Sequence, residues 1–183
     1  MLGGEGADSI DGDGGSDSLD GGEGNDTLIG DAGNDTMIGG AGADQIFVSD
    51  GNNSIDGGSE NDQIFAGTGS DTIDGGTGDD VLSGAGGDDT FTLNDGFGND
   101  TIAGGETGET NGDTLDLSGV TTGVTLDLSN SNPETGTVSE TGSGAGATGF
   151  TEIENITLSG GRDTITLADG GGDDTVSGFN TAD

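Results

Sequence analysis

The stretch Gly3–Thr92 divides without a gap into ten nonapeptides, from Gly3-Gly-Glu-Gly-Ala-Asp-Ser-Ile-Asp11 to Gly84-Ala-Gly-Gly-Asp-Asp-Thr-Phe-Thr92. A short fixed period confines a chain to architectures in which one small unit stacks on the next. Position 8 is apolar throughout: Ile10, Leu19, Leu28, Met37, Ile46, Ile55, Ile64, Ile73, Leu82 and Phe91. Position 6 is Asp8, Asp17, Asp26, Asp35, Asp44, Asn53, Asp62, Asp71, Asp80 and Asp89, and position 4 is Gly except at Glu60. The Gly-rich positions 1–5 suit a turn with positive φ. Positions 7–9 read polar, apolar, variable, which fits a very short strand. Nine residues are too few for a helical face, and the apolar residues do not follow a helical period. The economical solution is a coil with two strands and two turns per pair of nonapeptides. Like strands then stack in parallel on two sides, and the position-8 side chains meet between them.

Such a coil is thinly held. Ordering nine backbone units costs several times what burying one aliphatic side chain returns, and Gly enlarges the entropy loss. Something that binds only the folded chain has to make up the difference. The position-6 carboxylates indicate its chemistry. With two nonapeptides, 18 residues, per coil, Asp8, Asp26, Asp44, Asp62 and Asp80 fall in one column. Asp17, Asp35, Asn53, Asp71 and Asp89 fall in the other. Neighbours in a column are about 4.8 Å apart, the spacing of paired strands. Stacked like charges repel unless a cation lies between them. A hard cation with oxygen ligands at about 2.3–2.6 Å suits the gap, and carboxylates combined with backbone carbonyls favour Ca²⁺ over Mg²⁺.

Gly21-Gly-Glu-Gly-Asn-Asp-Thr-Leu-Ile29 and Gly75-Gly-Thr-Gly-Asp-Asp-Val-Leu-Ser83 match Gly-Gly-x-Gly-x-Asp-x-U-x in full, where U is a large apolar residue. On these residues the chain resembles the RTX (repeats-in-toxin, haemolysin-type) calcium-binding proteins. The resemblance covers Gly3–Ala103, and ten tandem copies in register make it specific. It implies an all-β fold: a right-handed parallel β-roll, that is, a two-sheet β-solenoid with two repeats per turn. It also implies several Ca²⁺ ions, each between successive turns on one edge. The position-6 side chains and the carbonyls of the Gly-rich turns would be their ligands. A disordered Gly/Asp linker is the bland alternative, but low complexity does not place ten apolar residues in one column.

Composition narrows the function. The chain has 183 residues, 44 Gly, 37 acidic residues and one basic residue, Arg162, for a formal net charge of −36. That charge excludes nucleic acid as a default partner and implies self-repulsion without bound cations. Cys is absent, so metal takes the place of disulfides as the staple. No run of apolar residues approaches the length of a membrane span. Met1-Leu2 runs straight into the first repeat, which predicts no N-terminal signal peptide. Without His, Cys, Lys, Tyr or Trp there is no Ser-His-Asp triad, thiol nucleophile, Schiff base or zincin site. Only a carboxylate pair of the glycosidase type remains conceivable, so no independent enzyme activity is expected.

Beyond the ten repeats, Leu93-Asn94 is a two-residue insertion, after which Asp95-Gly-Phe-Gly-Asn-Asp-Thr-Ile-Ala103 resumes the register. Asp100 is therefore a candidate ligand that follows Asp80 by 20 residues rather than 18, which leaves its calcium partner open. The expected organisation is a calcium-binding roll over 1–103 and an irregular β segment over 104–158. Strands are expected at Asp113–Ser118, Val124–Leu128 and Phe150–Leu158, with an exposed loop at 130–149. A roll-like segment resumes over 159–183, because Asp163–Val176 repeats Asp89–Ile102, including the spacing of 11 from one Asp to the other. That segment stops where a further strand is due, as in a fragment of a longer protein.

The expected function is a calcium-binding module of a secreted bacterial protein. By resemblance, it would be exported by a type I system and fold on Ca²⁺ outside the cell. The alternative is an adhesin or polysaccharide-binding module attached to an extracellular enzyme. An ice-binding roll would need a regular outward Thr/Asn array, which position 3 lacks (Glu5, Gly14, Glu23, Ala32, Ala41). Position 9 points outward and is mostly polar, yet Ile29, Phe47 and Phe65 lie one coil apart on one face. Such a stripe marks a possible protein or domain contact. Its candidate covers are the chain's own Asp113–Leu158, another chain, or a further domain; an idle stripe is the remaining reading.

Overall fold

Alternation of short strands and Gly-rich turns produces an all-β fold with no helix among the described residues. The computed structural model describes residues 1–105, 107–128, 134–141 and 147–167. Its strands in the first half are β1 (Leu2–Glu5), β2 (Ser9–Asp11), β3 (Ser18–Glu23), β4 (Thr27–Ala32), β5 (Thr36–Ala41), β6 (Gln45–Asp50), β7 (Ser54–Ser59), β8 (Gln63–Phe65) and β9 (Thr72–Asp74). Then follow β10 (Val81–Ser83), β11 (Thr90–Asn94), β12 (Thr101–Ala103), β13 (Thr114–Gly119), β14 (Val124–Leu128), β15 (Gly136–Glu140), β16 (Thr148–Thr151), β17 (Asn155–Thr157) and β18 (Thr164–Leu167).

Odd and even strands separate into two sheets. One runs β1-β3-β5-β7-β9-β11-β13-β17, and the other runs β2-β4-β6-β8-β10-β12-β16-β15-β14-β18. Through β13 the chain crosses from sheet to sheet at every turn, which makes a β-solenoid. Its registers pair residues 18 apart, as in Leu19↔Met37↔Ile55↔Ile73 and Ile10↔Leu28↔Ile46↔Ile64. Every position-8 side chain lies in the core between the sheets. Position 1 also faces inward: several strands run on past position 9, and Val48 and Ala66 are buried there.

The turns are tighter than a uniform five-residue loop. Positive φ recurs at positions 2 and 4, as at Gly22 (103°) and Gly24 (117°), while β3 continues through position 3. Glu60, the one non-Gly residue at position 4, holds φ 73° and accepts a hydrogen bond from Gly42 N (2.8 Å) through Oε2.

The two-residue insertion does not break the stack. Leu93 and Phe97 turn into the core and β12 pairs with β10 in register, Leu82↔Ile102. The described part of 104–158 then adds to both sheets: β13 pairs with β11, β17 with β13, and β16 with β12. The exposed loop expected at 130–149 is corrected in its described part. Gly136–Glu140 forms β15, antiparallel to both β14 and β16, and β16 begins at Thr148. Gly136 and Val138 are buried in β15, an alternation that the surrounding Gly, Ser and Thr obscured. β18 pairs in parallel with β14. The expected repeat up to Asp174 and its stop at Asp183 lie outside the described residues.

Candidate metal centre

Each turn edge carries a ladder built from position 6. The backbone N–H of one position-6 residue donates to the side-chain Oδ1 of its counterpart one turn later. On one edge these bonds are Asp8→Asp26 (2.7 Å), Asp26→Asp44 (2.7 Å), Asp44→Asp62 (2.7 Å), Asp62→Asp80 (2.8 Å) and Asp80→Asp100 (3.0 Å). On the other they are Asp17→Asp35 (2.9 Å), Asp35→Asn53 (2.9 Å), Asn53→Asp71 (2.7 Å), Asp71→Asp89 (2.8 Å) and Asp89→Asp113 (2.8 Å). All eleven candidate residues from the sequence therefore stand in two columns, and Asp100 joins the first despite its altered spacing.

Asp113 was missed. Its signal was Asp113-Thr-Leu115, the same Asp-x-apolar signature as positions 6–8. A second ladder at position 5 also went unread, and it runs the opposite way. The side chains of Asn25, Asn34, Asn52, Asn61 and Asp79 accept from backbone N–H groups one turn later. Adjacent positions thus clamp each turn to both neighbours.

Oδ1 is used by the backbone, and Oδ2 is left over. Oδ2 of Asp8, Asp17, Asp26, Asp35, Asp44, Asp62, Asp71, Asp80, Asp89 and Asp113 is buried without a hydrogen-bond partner. A buried, unpaired carboxylate oxygen is costly. Burial, reinforced by the charges of Asp80, Asp44 and Glu60, pushes the Asp62 carboxyl up to about 7, against a hydrogen bond from Asp44 N. Burial likewise carries Asp80 to about 6 and Asp89, Asp100 and Asp113 to about 7, and it raises Asp44 and Asp71. A positive charge would remove this penalty.

The backbone leaves room for one. A Cβ on Gly3 would lie 2.5 Å from the Gly21 carbonyl oxygen and 2.7 Å from Asp8 Oδ2. On Gly57 it would lie 2.6 Å from both the Gly75 carbonyl oxygen and Asp62 Oδ2. Position-1 Gly therefore keeps open a cradle in which a carboxylate oxygen and the carbonyl of the next turn converge. These all-oxygen donors fit a hard cation such as Ca²⁺. The fit is poorest around Asn53. Its Nδ2 donates to Gly51 O (3.0 Å) and Asp71 Oδ1 (2.9 Å), and Val48 and Ala66 put side chains where other repeats have Gly.

The stripe of Ile29, Phe47 and Phe65 lies in adjacent registers of one sheet. The Phe47 and Phe65 rings stack in parallel with centroids 5.5 Å apart, and they are 36% and 40% exposed. The described part of Asp113–Leu158 extends the stack at its far end and leaves these rings exposed, which corrects the reading that it folds back over them.

No curated protein matches the chain. The family described as the RTX calcium-binding nonapeptide repeat matches residues 1–28, 20–55, 29–64, 56–91 and 92–106. These matches cover more than half of the chain and coincide with the two columns, so the chain belongs to the RTX calcium-binding nonapeptide repeat family.

Proposed function

We propose that this chain is a Ca²⁺-binding module of a secreted bacterial protein, unfolded where Ca²⁺ is scarce and folded once outside the cell. The observation that carries this reading is the pair of columns of buried Oδ2 atoms without partners. Asp8, Asp17, Asp26, Asp35, Asp44, Asp62, Asp71, Asp80, Asp89 and Asp100 are the side-chain ligands of several ions, and Asn53 contributes only a neutral amide. Extracellular calcium modules work at about 10⁻⁴–10⁻³ M, a level at which export from a calcium-poor cytosol becomes a folding switch. A type I route fits a chain that must cross unfolded. The module is not itself a catalyst.

Circular dichroism during a Ca²⁺ titration, followed by EDTA, tests this. β structure should form with Ca²⁺, vanish with EDTA and form poorly with Mg²⁺, which demands a tight octahedron. Equal β content with and without Ca²⁺ would sink the proposal. The stacked, exposed Phe47 and Phe65 favour a second role beside the first, as an adhesin-like or polysaccharide-binding contact.

A further inference from the structure

The two columns end in different chemistry. The Asp100 column closes on Thr148, which register places opposite Asp100, since Thr101 pairs with Gly149. Thr148 Oγ1 accepts from Asp100 N (3.0 Å) and donates to Asp100 Oδ2 (3.2 Å). A hydroxyl thus closes that edge and donates to its last carboxylate, where the other edge offers further acids.

The other column closes on acids. Thr114 pairs with Asn155, so Glu154 stands opposite Asp113, and Glu154 Oε2 accepts from Asp113 N (2.6 Å) as a next-turn Asp would. Glu109, from the segment between β12 and β13, completes a cluster in which Glu109, Asp113 and Glu154 each present a carboxylate oxygen within 4.8 Å of the others. Asp113 is fully buried, and its Oδ2 has no hydrogen-bond partner. A Cβ on Gly104 would collide with both Asp113 Oδ2 and the Glu152 carbonyl oxygen, so a backbone oxygen converges on the same point. Glu152 holds φ 59°, a left-handed conformation that non-Gly residues seldom adopt. Asn155 Nδ2 donates to the carbonyls of Asn111 (3.1 Å), Gly112 (3.4 Å) and Asp113 (3.3 Å), which pins the loop to β17.

We propose that Glu109, Asp113 and Glu154, with the Glu152 carbonyl, form a single Ca²⁺ site outside the nonapeptide pattern that binds more tightly than the repeat sites. The inference rests on the calcium-binding reading above. Three carboxylates converge here, whereas the repeats bring together neighbouring position-6 carboxylates and turn carbonyls, and affinity for Ca²⁺ rises with ligand charge. The ion ties the loop before β13 to the turn before β17, over a sequence separation of 41 from Asp113 to Glu154.

Calorimetric titration of the whole chain with Ca²⁺ tests the site. The wild-type chain should take up one ion ahead of the rest. Glu109→Gln should lose that ion or weaken it by about tenfold or more, leaving the later ions unchanged. Glu154→Gln should do the same, because its amide oxygen still accepts from Asp113 N. If Glu154→Gln fails to fold at saturating Ca²⁺, Glu109→Gln decides alone, since Glu109 lies outside every strand. Both variants matching the wild type in ion number and affinity overturn this site while leaving the module reading intact. A wild-type chain that takes up no Ca²⁺ overturns both.

Discussion

Acid should fold the metal-free chain. Asp62 and Asp89 stand in opposite columns at the turn edges, and burial carries each from 3.8 to about 7. An upward shift of one unit disfavours the ionised form by about 1.4 kcal/mol, so each ionised carboxylate costs about 4 kcal/mol. Solvent at the turn edge reduces this to about 2 kcal/mol. Counting only one carboxylate per column leaves about 4 kcal/mol, against a total stability of about 5–15 kcal/mol for a small domain. The sign follows from proton counts. Between about pH 4 and pH 7 the folded state binds more protons than the unfolded state, so stability falls as pH rises. The penalty is absent below about pH 4 and complete above about pH 7. Far-UV circular dichroism in EDTA should therefore show β structure growing as pH falls through that window. High salt should not substitute for acid, because it screens the net charge far more than a buried carboxylate. In Ca²⁺ the dependence reverses: the ion needs ionised ligands, so the Ca²⁺ midpoint rises as pH falls. An EDTA-treated chain as rich in β structure at neutral as at acid pH would refute the reasoning.

Around Asn53, Asn53→Asp alone should lower the Ca²⁺ midpoint slightly, and Val48→Gly with Asn53→Asp should lower it further by reopening the cradle; unchanged midpoints in both would remove the assignment of the weakest sites to this repeat. Gly58→Ala should abolish calcium-driven folding, because φ is 108° there and a Cβ would strike the Gly40 carbonyl, adding a backbone clash to about 1–2 kcal/mol of left-handed strain; a normal circular dichroism titration would contradict this. Phe47→Ser with Phe65→Ser should leave folding nearly intact, since a stacked pair contributes about 0.5–1.5 kcal/mol beyond its buried area. Loss of binding to an immobilised polysaccharide or partner chain would then report the contact role, and unchanged binding of a proven partner would deny it.

The nonapeptide period was enough to read the repeat part of the fold, because each unit pairs with copies of itself. Once Asp8 and Asp26 share a register, every later pair must share it, so the buried position-8 residues and both carboxylate columns were legible in sequence. The period also hid what it did not repeat. Inward-facing position 1 looked like part of a turn, because Gly has no side chain to betray its direction; the burial of Val48 and Ala66 in the folded stack exposes it. The closure of the stack was decided by tertiary structure alone. Asp89 meets Asp113 across 24 residues, Asp113 meets Glu154 across 41, and Asp100 meets Thr148 across 48. No local pattern spans such loops. Their partners are chosen by which strand edge remains unpaired when the last regular turn has formed, and that edge exists only in the folded stack.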